Sequence, residues 1–342
     1  MTIMNRHDDR VEAHGSGRWP VGFILKLVIF ASGIWFFDMC AGAGLAWLYG
    51  QTEIGSAGVV NRAMRQRNEL VVIGDSRARH HFNPAVLRRE TGLSTYNAGV
   101  NGQSMLFFYA MEQLILSAYR PRMIMLHLGP GDFAREQEAL DRLSVLLPHA
   151  DHPEVKKLLM LRSPYERFKL LSRTYPYNSM LVALLGAVFV PSHGAYEDGF
   201  VALYGKILAA AVHVSRKKGR GGSDEVRVPA GGLFLRTLED FIESAQARNV
   251  SVVICVSPEW GVVVLDDAVR RLIGDKGAAY VEISRNTHPV FKDPRLFKTR
   301  GYLNAEGATV FSKILGEELS KRVLVRAGPR AVAYPDNREQ AR

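Results

Sequence analysis

The chain has 342 residues, enough for one large domain or one domain with an appendage. Hydrophobic residues make up 47% and charged residues 23%, which excludes disorder over most of the length, and two cysteines give no disulfide framework. The formal net charge of +10 favours anionic surfaces such as lipid headgroups or acidic polysaccharide, while the absence of any nucleic-acid-binding motif argues against a nucleic-acid partner.

Residues 1–20 are polar and mixed in charge, and are expected to be a disordered leader. From Val21 to Tyr49 the chain is apolar apart from Lys26 and Asp38, with Trp35, Trp47 and Tyr49 where interfacial rings can sit. A helix of about 20 mostly apolar residues crosses a bilayer, so residues 21–49 are expected to be a membrane anchor. A cleaved signal peptide fits less well, because the polar leader is long and no small-residue cleavage site follows a short apolar core; a buried soluble helix is the other alternative. A carboxylate within such a span is costly in lipid, which places Asp38 near the interface or against a partner helix. The run Ala41, Gly42, Ala43, Gly44 lets another helix approach closely. Arginines flank both ends, so charge alone leaves the orientation open. Residues 50–68 read as a linker.

From Glu69 onward short apolar runs alternate with helical stretches, the pattern of a parallel sheet with helices on both faces. Strands are predicted at 69–74, 94–97, 122–128, 250–256 and 278–283, and helices at 77–90, 104–119, 232–248, 262–274 and 305–323. The link between the third and fourth strands is far longer than one crossover, so residues 133–231 are expected to form a mostly helical insertion. It holds two apolar runs, 180–190 and 201–214, both too short for a comfortable membrane span and read as buried or interfacial helices. The basic run Arg216, Lys217, Lys218, Arg220 lies in Gly-rich sequence and reads as a solvated loop. The domain thus covers residues 69–325, and residues 326–342 read as a disordered tail.

In an open parallel sheet the ligand crevice lies outside the carboxyl ends of the strands. The first strand delivers Gly74-Asp75-Ser76 to that edge, and the predicted helix beyond it places the Ser76 hydroxyl beside unpaired amides and a positive helix end. Ser76 is therefore a candidate nucleophile, although Asp75 and Ser76 alternatively do no more than cap the helix. The other loops at this edge carry Asn101 and Gly102, then Gly131 and Asp132, and finally Thr299, Tyr302 and Asn304. No His, Asp or Glu cluster has metal-ligand spacing, and no cofactor is implied.

These four clusters, in this order, resemble the SGNH (GDSL-type) hydrolases from about Glu69 to Leu319, the insertion apart. The resemblance implies a flavodoxin-like three-layer α/β/α sandwich with a five-stranded parallel sheet, joined here to an N-terminal transmembrane helix and a helical insertion. It implies that Ser76 is the nucleophile and that Ser76 and Gly102 supply oxyanion-hole amides, with Asp75, Asn101 and Asp132 lining the site. The chain departs from the family in two blocks. Gly131 stands where the family has an asparagine donor, a loss of roughly a hundredfold to a thousandfold in rate. Thr299 and Tyr302 stand where it has the Asp-His pair, and a serine without an adjacent base is a poor nucleophile. His80, one helical turn from Ser76, and His288, beside Asp293, are the candidate alternative bases, with packing or surface hydrogen bonding as the plainer role for each; His127 ends the third strand. Tyr302 can orient a ligand but is a weak base at neutral pH.

The segments Gly74 to Phe82, Tyr96 to Gly99 and Leu303 to Ala308, behind an N-terminal anchor, are further similar to membrane-anchored SGNH-like proteins of bacterial cell-surface polysaccharide O-acylation. That resemblance implies an inner-membrane anchor and a periplasmic domain. It also implies a polysaccharide or acyl-glycan ligand and a partner that is a membrane-bound O-acyltransferase or polymer exporter. Two functions remain open: O-acylation or deacylation of an exported polysaccharide, or a catalytically degenerate scaffold or glycan-binding partner.

Overall fold

The computed structural model describes residues 21–53, 55–133, 136–189, 198–207, 225–226, 231–263 and 265–321. The leader 1–20, the tail 326–342, the basic run at 216–220 and residues 208–214 of the second apolar run lie outside the described residues.

The strands are β1 (Leu70–Ile73), β2 (Thr95–Asn97), β3 (Met123–His127), β4 (Glu225–Val226), β5 (Ser251–Val256), β6 (Val262–Val263) and β7 (Ala279–Glu282). Five of them make one all-parallel sheet in the order β2-β1-β3-β5-β7. This is the flavodoxin-like order, in which the chain switches direction across the sheet between β1 and β3 and opens a crevice at their carboxyl ends. All five expected strands are present to within about a residue of their predicted ends.

Both sheet faces are buried, as a parallel sheet requires. Along β1, Val71 and Ile73 enter one apolar cluster and Leu70 and Val72 the other, all four at 0% exposure, because successive strand side chains point to opposite faces. Helices α5 (Met105–Ala118) and α10 (Gly232–Ala247) cover the first face. Helices α4 (Pro84–Thr91) and α12 (Ala305–Leu319) cover the second.

Three local expectations are corrected. The single helix predicted at 77–90 is two, α3 (Ser76–His81) and α4, because Asn83 caps the second through Ala85 and Val86 N–H and Pro84 cannot continue the first. The helix predicted at 262–274 starts later, as α11 (Asp267–Asp275) with Asp266 as its cap, because Val262 and Val263 pair with β4 instead. The linker 50–68 contains α2 (Gly55–Arg65), whose Val59, Val60 and Ala63 are buried against the same face as α5. Their spacing along one stripe was the helical signal.

Helix α1 (Val21–Gln51) is long and apolar enough to cross a membrane by length and composition. Its side chains are exposed from Val21 to Phe37. From Asp38 onward it packs on the insertion, which comprises α6 (Glu136–Arg142), α7 (Pro153–Met160), α8 (Glu166–Lys169), α9 (Leu181–Phe189) and intervening 3-10 turns. The partner of Asp38 is thus the chain's own insertion rather than another span. Its carboxylate accepts from Ser172 Oγ at 2.7 Å, Arg173 N at 2.7 Å, and Thr174 N and Oγ1 at 3.2 and 2.7 Å. Gly42 meets the backbone of Arg173 so closely that a Cβ there would lie 2.7 Å from its carbonyl carbon. Within the small-residue run it is Gly42 that admits a turn of the insertion, whereas a Cβ on Gly44 would meet nothing within 4 Å. Lower down, the Tyr49 hydroxyl is hydrogen-bonded to His149 Nε2 at 2.8 Å.

Asp38→Ala strips a charged acceptor from these donors, and a hydrogen bond to a charged group contributes about 1.5–3 kcal/mol. The expected result is faster amide exchange at Arg173 and Thr174 with unchanged exchange in β1 and β3. Unchanged protection at those two amides would show that the cap does not hold the turn to α1.

Candidate active site

Ser76 is the first residue of α3 and follows β1 through Gly74 and the cap Asp75. A Cβ on Gly74 would lie 2.7 Å from Ala78 Cβ and 2.9 Å from His127 Cβ, so only glycine lets β1 turn this tightly beside β3. Asp75 is a cap, the plainer of the two roles open to it in Gly-Asp-Ser, but its carboxylate also reaches inward. The helix it caps has six residues rather than the predicted run through Arg89, so the positive helix end contributes less at Ser76 than the sequence implied.

The Ser76 hydroxyl is hydrogen-bonded at 2.7 Å to the hydroxyl of Tyr302, a residue 226 positions away. Tyr302 is placed by an antiparallel hairpin, β8 (Phe297–Thr299) with β9 (Tyr302–Leu303), in which Thr299 pairs with Tyr302. Thr299 is exposed. A phenol reaches further than an imidazole would from the same backbone position, so Tyr302 is not a conservative stand-in for a histidine. No histidine is hydrogen-bonded to Ser76 among the described residues.

The histidines divide between the crevice, the interior and the surface. His80 lies edge-on to the Tyr302 ring, with ring centres 5.7 Å apart. Its Nδ1 is 2.7 Å from the Val201 carbonyl. A carbonyl only accepts, so Nδ1 carries the proton and Nε2 keeps a lone pair. Burial lowers the His80 pKa from its ordinary value, outweighing the carbonyl contact that raises it, and the ring stays neutral at pH 7. Val201 belongs to residues 198–207, a returning piece of the insertion strapped across the site by Val201 N to Arg79 O and Ala305 N to Leu203 O. The strap crosses β2 so closely at Gly199, which has φ +81°, that a Cβ would overlap the Asn97 carbonyl. His288, by contrast, sits on an exposed turn with Nδ1 3.0 Å from Thr287 Oγ1, and is not hydrogen-bonded to Ser76 among the described residues.

His81 and His127 build an arrangement that the sequence patterns did not reveal. The Leu303 amide donates to His81 Nε2 at 3.1 Å, which leaves the proton on Nδ1. That Nδ1–H donates to Ser257 Oγ at 2.8 Å, and the Ser257 hydroxyl, 3.0 Å from His127 Nε2, donates onward. His127, accepting at Nε2, carries its proton on Nδ1, which faces the Asp75 carboxylate at 3.3 Å as a dipole turned toward a charge, off the line of a good hydrogen bond. All of these side chains are buried. This relay begins at the residue before Ser76 and ends at the residue after Tyr302, so it ties together the two sides of the Ser76–Tyr302 hydrogen bond. Ser257 lies just past the carboxyl end of β5, where the crevice rule applies, and that position was the available signal.

Asp75 also binds Arg77, accepting from its backbone N at 2.8 Å and from Nε and Nη2 at 3.1 and 3.0 Å; Arg77 Nη1 pairs with Glu259. Burial alone would raise the Asp75 pKa, but the Arg77 charge and His127 together hold the carboxyl well below the usual range. Asp132 is fully enclosed beside them and accepts from Gly129 N at 2.7 Å. Burial, then the neighbouring Asp75 charge, pushes it well above the ordinary carboxyl value. Both aspartates expected to line the site are therefore turned into this buried cluster. Asn304 is likewise a structural residue: its Oδ1 accepts from Gly307 N at 2.9 Å to cap α12, and its Nδ2 donates to Gly205 O and Arg295 O.

Asn101 and Gly102 are in an exposed turn, with Gly102 at φ +73° and its carbonyl accepting from Arg142. The space where a Gly131 side chain would start is open, with nothing within 4 Å. Ser76, Tyr302 and His80 are thus brought together; Asp75, Asp132 and Asn304 serve the framework; His288 lies outside.

His81 is lowered well below its ordinary pKa of 6.5, by burial first and then by His127 and Arg77. His149 is lowered to about 4, again by burial. Both histidines have depressed folded-state values, so the unfolded chain takes up protons first on acidification. Their contribution to stability is present above about pH 6.5 and is lost as the pH falls below it, with His149 half-protonated in the folded chain at about pH 4. The melting temperature is expected to be flat from pH 7.5 to 6.5 and to fall continuously from there to pH 4.5. A constant value across that window would mean that neither histidine is buried neutral.

No protein-family model and no curated protein match the chain. Among solved structures, a protein described as lipolytic and of the G-D-S-L family, from Desulfitobacterium hafniense DCB-2, is similar over 75% of this chain and 100% of its own, with 13% identity and a TM-score of 0.35. A likeness of that degree decides nothing about chemistry. Any chemistry assigned to the chain rests on its own strand order and on the residues at its crevice.

Proposed function

We propose that the chain is an SGNH-type acyl-handling protein anchored in a bacterial inner membrane by α1, with its sandwich domain in the periplasm. It takes part in O-acylation or deacylation of an exported cell-surface polysaccharide, beside a membrane-bound O-acyltransferase or polymer exporter. The single observation behind this reading is the Ser76–Tyr302 hydrogen bond of 2.7 Å at the carboxyl edge of β1, flanked by His80, whose Nε2 has no hydrogen-bond partner among the described residues. In the reaction, Ser76 Oγ bonds to the acyl carbon, the Tyr302 hydroxyl takes the serine proton as its own moves to His80, and the departing alkoxide of the donor collects that proton. A sugar hydroxyl or water then releases the acyl group from Ser76 by the reverse path. The Ser76 and Gly102 amides face the developing oxyanion in this scheme; no partner occupies the Gly102 N–H among the described residues.

The test is the mass of the Ser76 peptide after incubation of the full chain with an activated acetyl ester. An acetyl adduct on Ser76 is the expected result. The second reading, a scaffold that keeps the fold without the chemistry, is favoured by Ser76 having no imidazole partner among the described residues. It predicts no adduct, and restoration of polymer modification in cells by a Ser76→Ala allele at normal protein level.

A further inference from the structure

Where α1 meets the insertion there is a recess of about 530 Å³, lined by Met39 of α1 and Leu171 of the insertion among others. Three cations line it, Lys156, Arg167 and Arg173, against one carboxylate, Asp151. Their neighbours on the same elements are paired: Lys157 with Glu154, and Arg162 and Lys169 with Glu166. Lys156, Arg167 and Arg173 have no carboxylate partner among the described residues. The Arg167 guanidinium lies over the exposed Phe168 ring, 4.5 Å from its centre, which holds it on the surface without neutralising it.

The position of the recess along α1 is informative. The fully exposed stretch of α1, Val21 to Phe37, spans about 25 Å at ~1.5 Å per residue, close to the ~30 Å of a bilayer's hydrocarbon core. Asp38, where α1 first engages the insertion, and Met39 on the wall of the recess then fall at the headgroup level. Aromatic and apolar side chains that the fold leaves exposed, Tyr165, Phe168 and Leu171, occur on the same part of the insertion. A surface with unpaired cations beside exposed apolar side chains, next to a span, is matched by one kind of ligand.

We infer that this recess holds the phosphate headgroup of an anionic membrane phospholipid, with Lys156, Arg167 and Arg173 on the phosphate and the lipid's acyl chains running along the apolar face of α1. The inference rests on the membrane-anchor reading of α1. The bound lipid would set the tilt and depth of the sandwich domain over the bilayer surface, because the insertion is joined to α1 through Asp38 and Tyr49.

The full-length chain reconstituted in nanodiscs of equal phosphatidylglycerol and phosphatidylcholine provides the test, with retained lipid counted by native mass spectrometry. The expected result is preferential retention of phosphatidylglycerol by about tenfold to thirtyfold, from about two net charges at ~1 kcal/mol each, falling with added salt. The triple substitution Lys156→Gln, Arg167→Gln and Arg173→Gln is expected to abolish the preference, while Arg167→Lys with Arg173→Lys keeps it. Equal retention of the two lipids, or an unchanged preference in the triple variant, overturns the inference, as does equal protection of the site by inorganic phosphate alone in detergent. Carbonate extraction separates the two levels: release of the chain from membranes removes the anchor reading and this inference with it. A chain that stays in the membrane yet shows no lipid preference removes this inference alone.

Discussion

Ser76→Ala is expected to abolish the acyl-enzyme burst on an activated ester and to lower steady-state turnover roughly a thousandfold or more. The proton acceptors should be separable from the nucleophile. Tyr302→Phe removes the hydroxyl that sits 2.7 Å from Ser76 Oγ while leaving the ring in place against His80, so KM should hold and kcat should fall on the order of a hundredfold. His80→Ala should cost a similar factor, and the double variant no more than either single one, since groups that pass one proton act as a unit. Burial keeps His80 neutral, so the activity should be retained at pH 7 and be lost on acidification as Nε2 is protonated. Burst amplitude and kcat against pH are the measurements. Full activity in Ser76→Ala would remove the serine mechanism, and independent, multiplying losses in the double variant would remove the coupled Tyr302–His80 route.

Asp75→Ala is expected to lower stability by about 3–5 kcal/mol, the usual loss when one partner of a buried ion pair is deleted. Asp75 is 8% exposed, and its removal leaves the Arg77 guanidinium with Glu259 alone, His127 Nδ1 with no anion to face, and α3 without its cap. For a domain of this size the loss corresponds to roughly 10 °C in melting temperature. Asp75→Asn keeps the cap acceptor and the shape but not the charge, so its loss should be smaller. Differential scanning calorimetry of the full chain decides this, and a melting temperature within a degree or two of the parent for Asp75→Ala would show that the buried cluster is not what holds α3 to β3. Ser257→Ala offers a milder check: it leaves His81 Nδ1–H and His127 Nε2 unpartnered in the interior, a cost of about 1–3 kcal/mol.

The two blocks in which the sequence differs from the family it resembles look different once the fold is seen. Thr299 and Tyr302 do pair across a hairpin, and Tyr302 brings a phenol into hydrogen-bond contact with Ser76. The positions His80, His81 and His127 were visible in the sequence, yet their division of labour was not. His80 faces the crevice because it lies one turn from Ser76, a local property of α3. His81, the next residue, points into the interior and meets Ser257, 176 residues on.

The five strands and their parallel arrangement were legible in the sequence, because a strand buried on both faces must be apolar at successive positions and the crossover lengths then demand helices between them. Ser76 at the carboxyl edge of β1 follows from the same local pattern. What only the tertiary structure decided were the partners of polar groups. Asp38 serves a turn at Ser172 to Thr174, Asp75 serves Arg77 and His127, and Tyr302 serves Ser76. A buried polar side chain must find a complementary group wherever the fold brings one, and that choice is set by three-dimensional proximity, at separations that run here from 2 residues for Asp75–Arg77 to 226 for Ser76–Tyr302. Apolar periodicity carries no record of it.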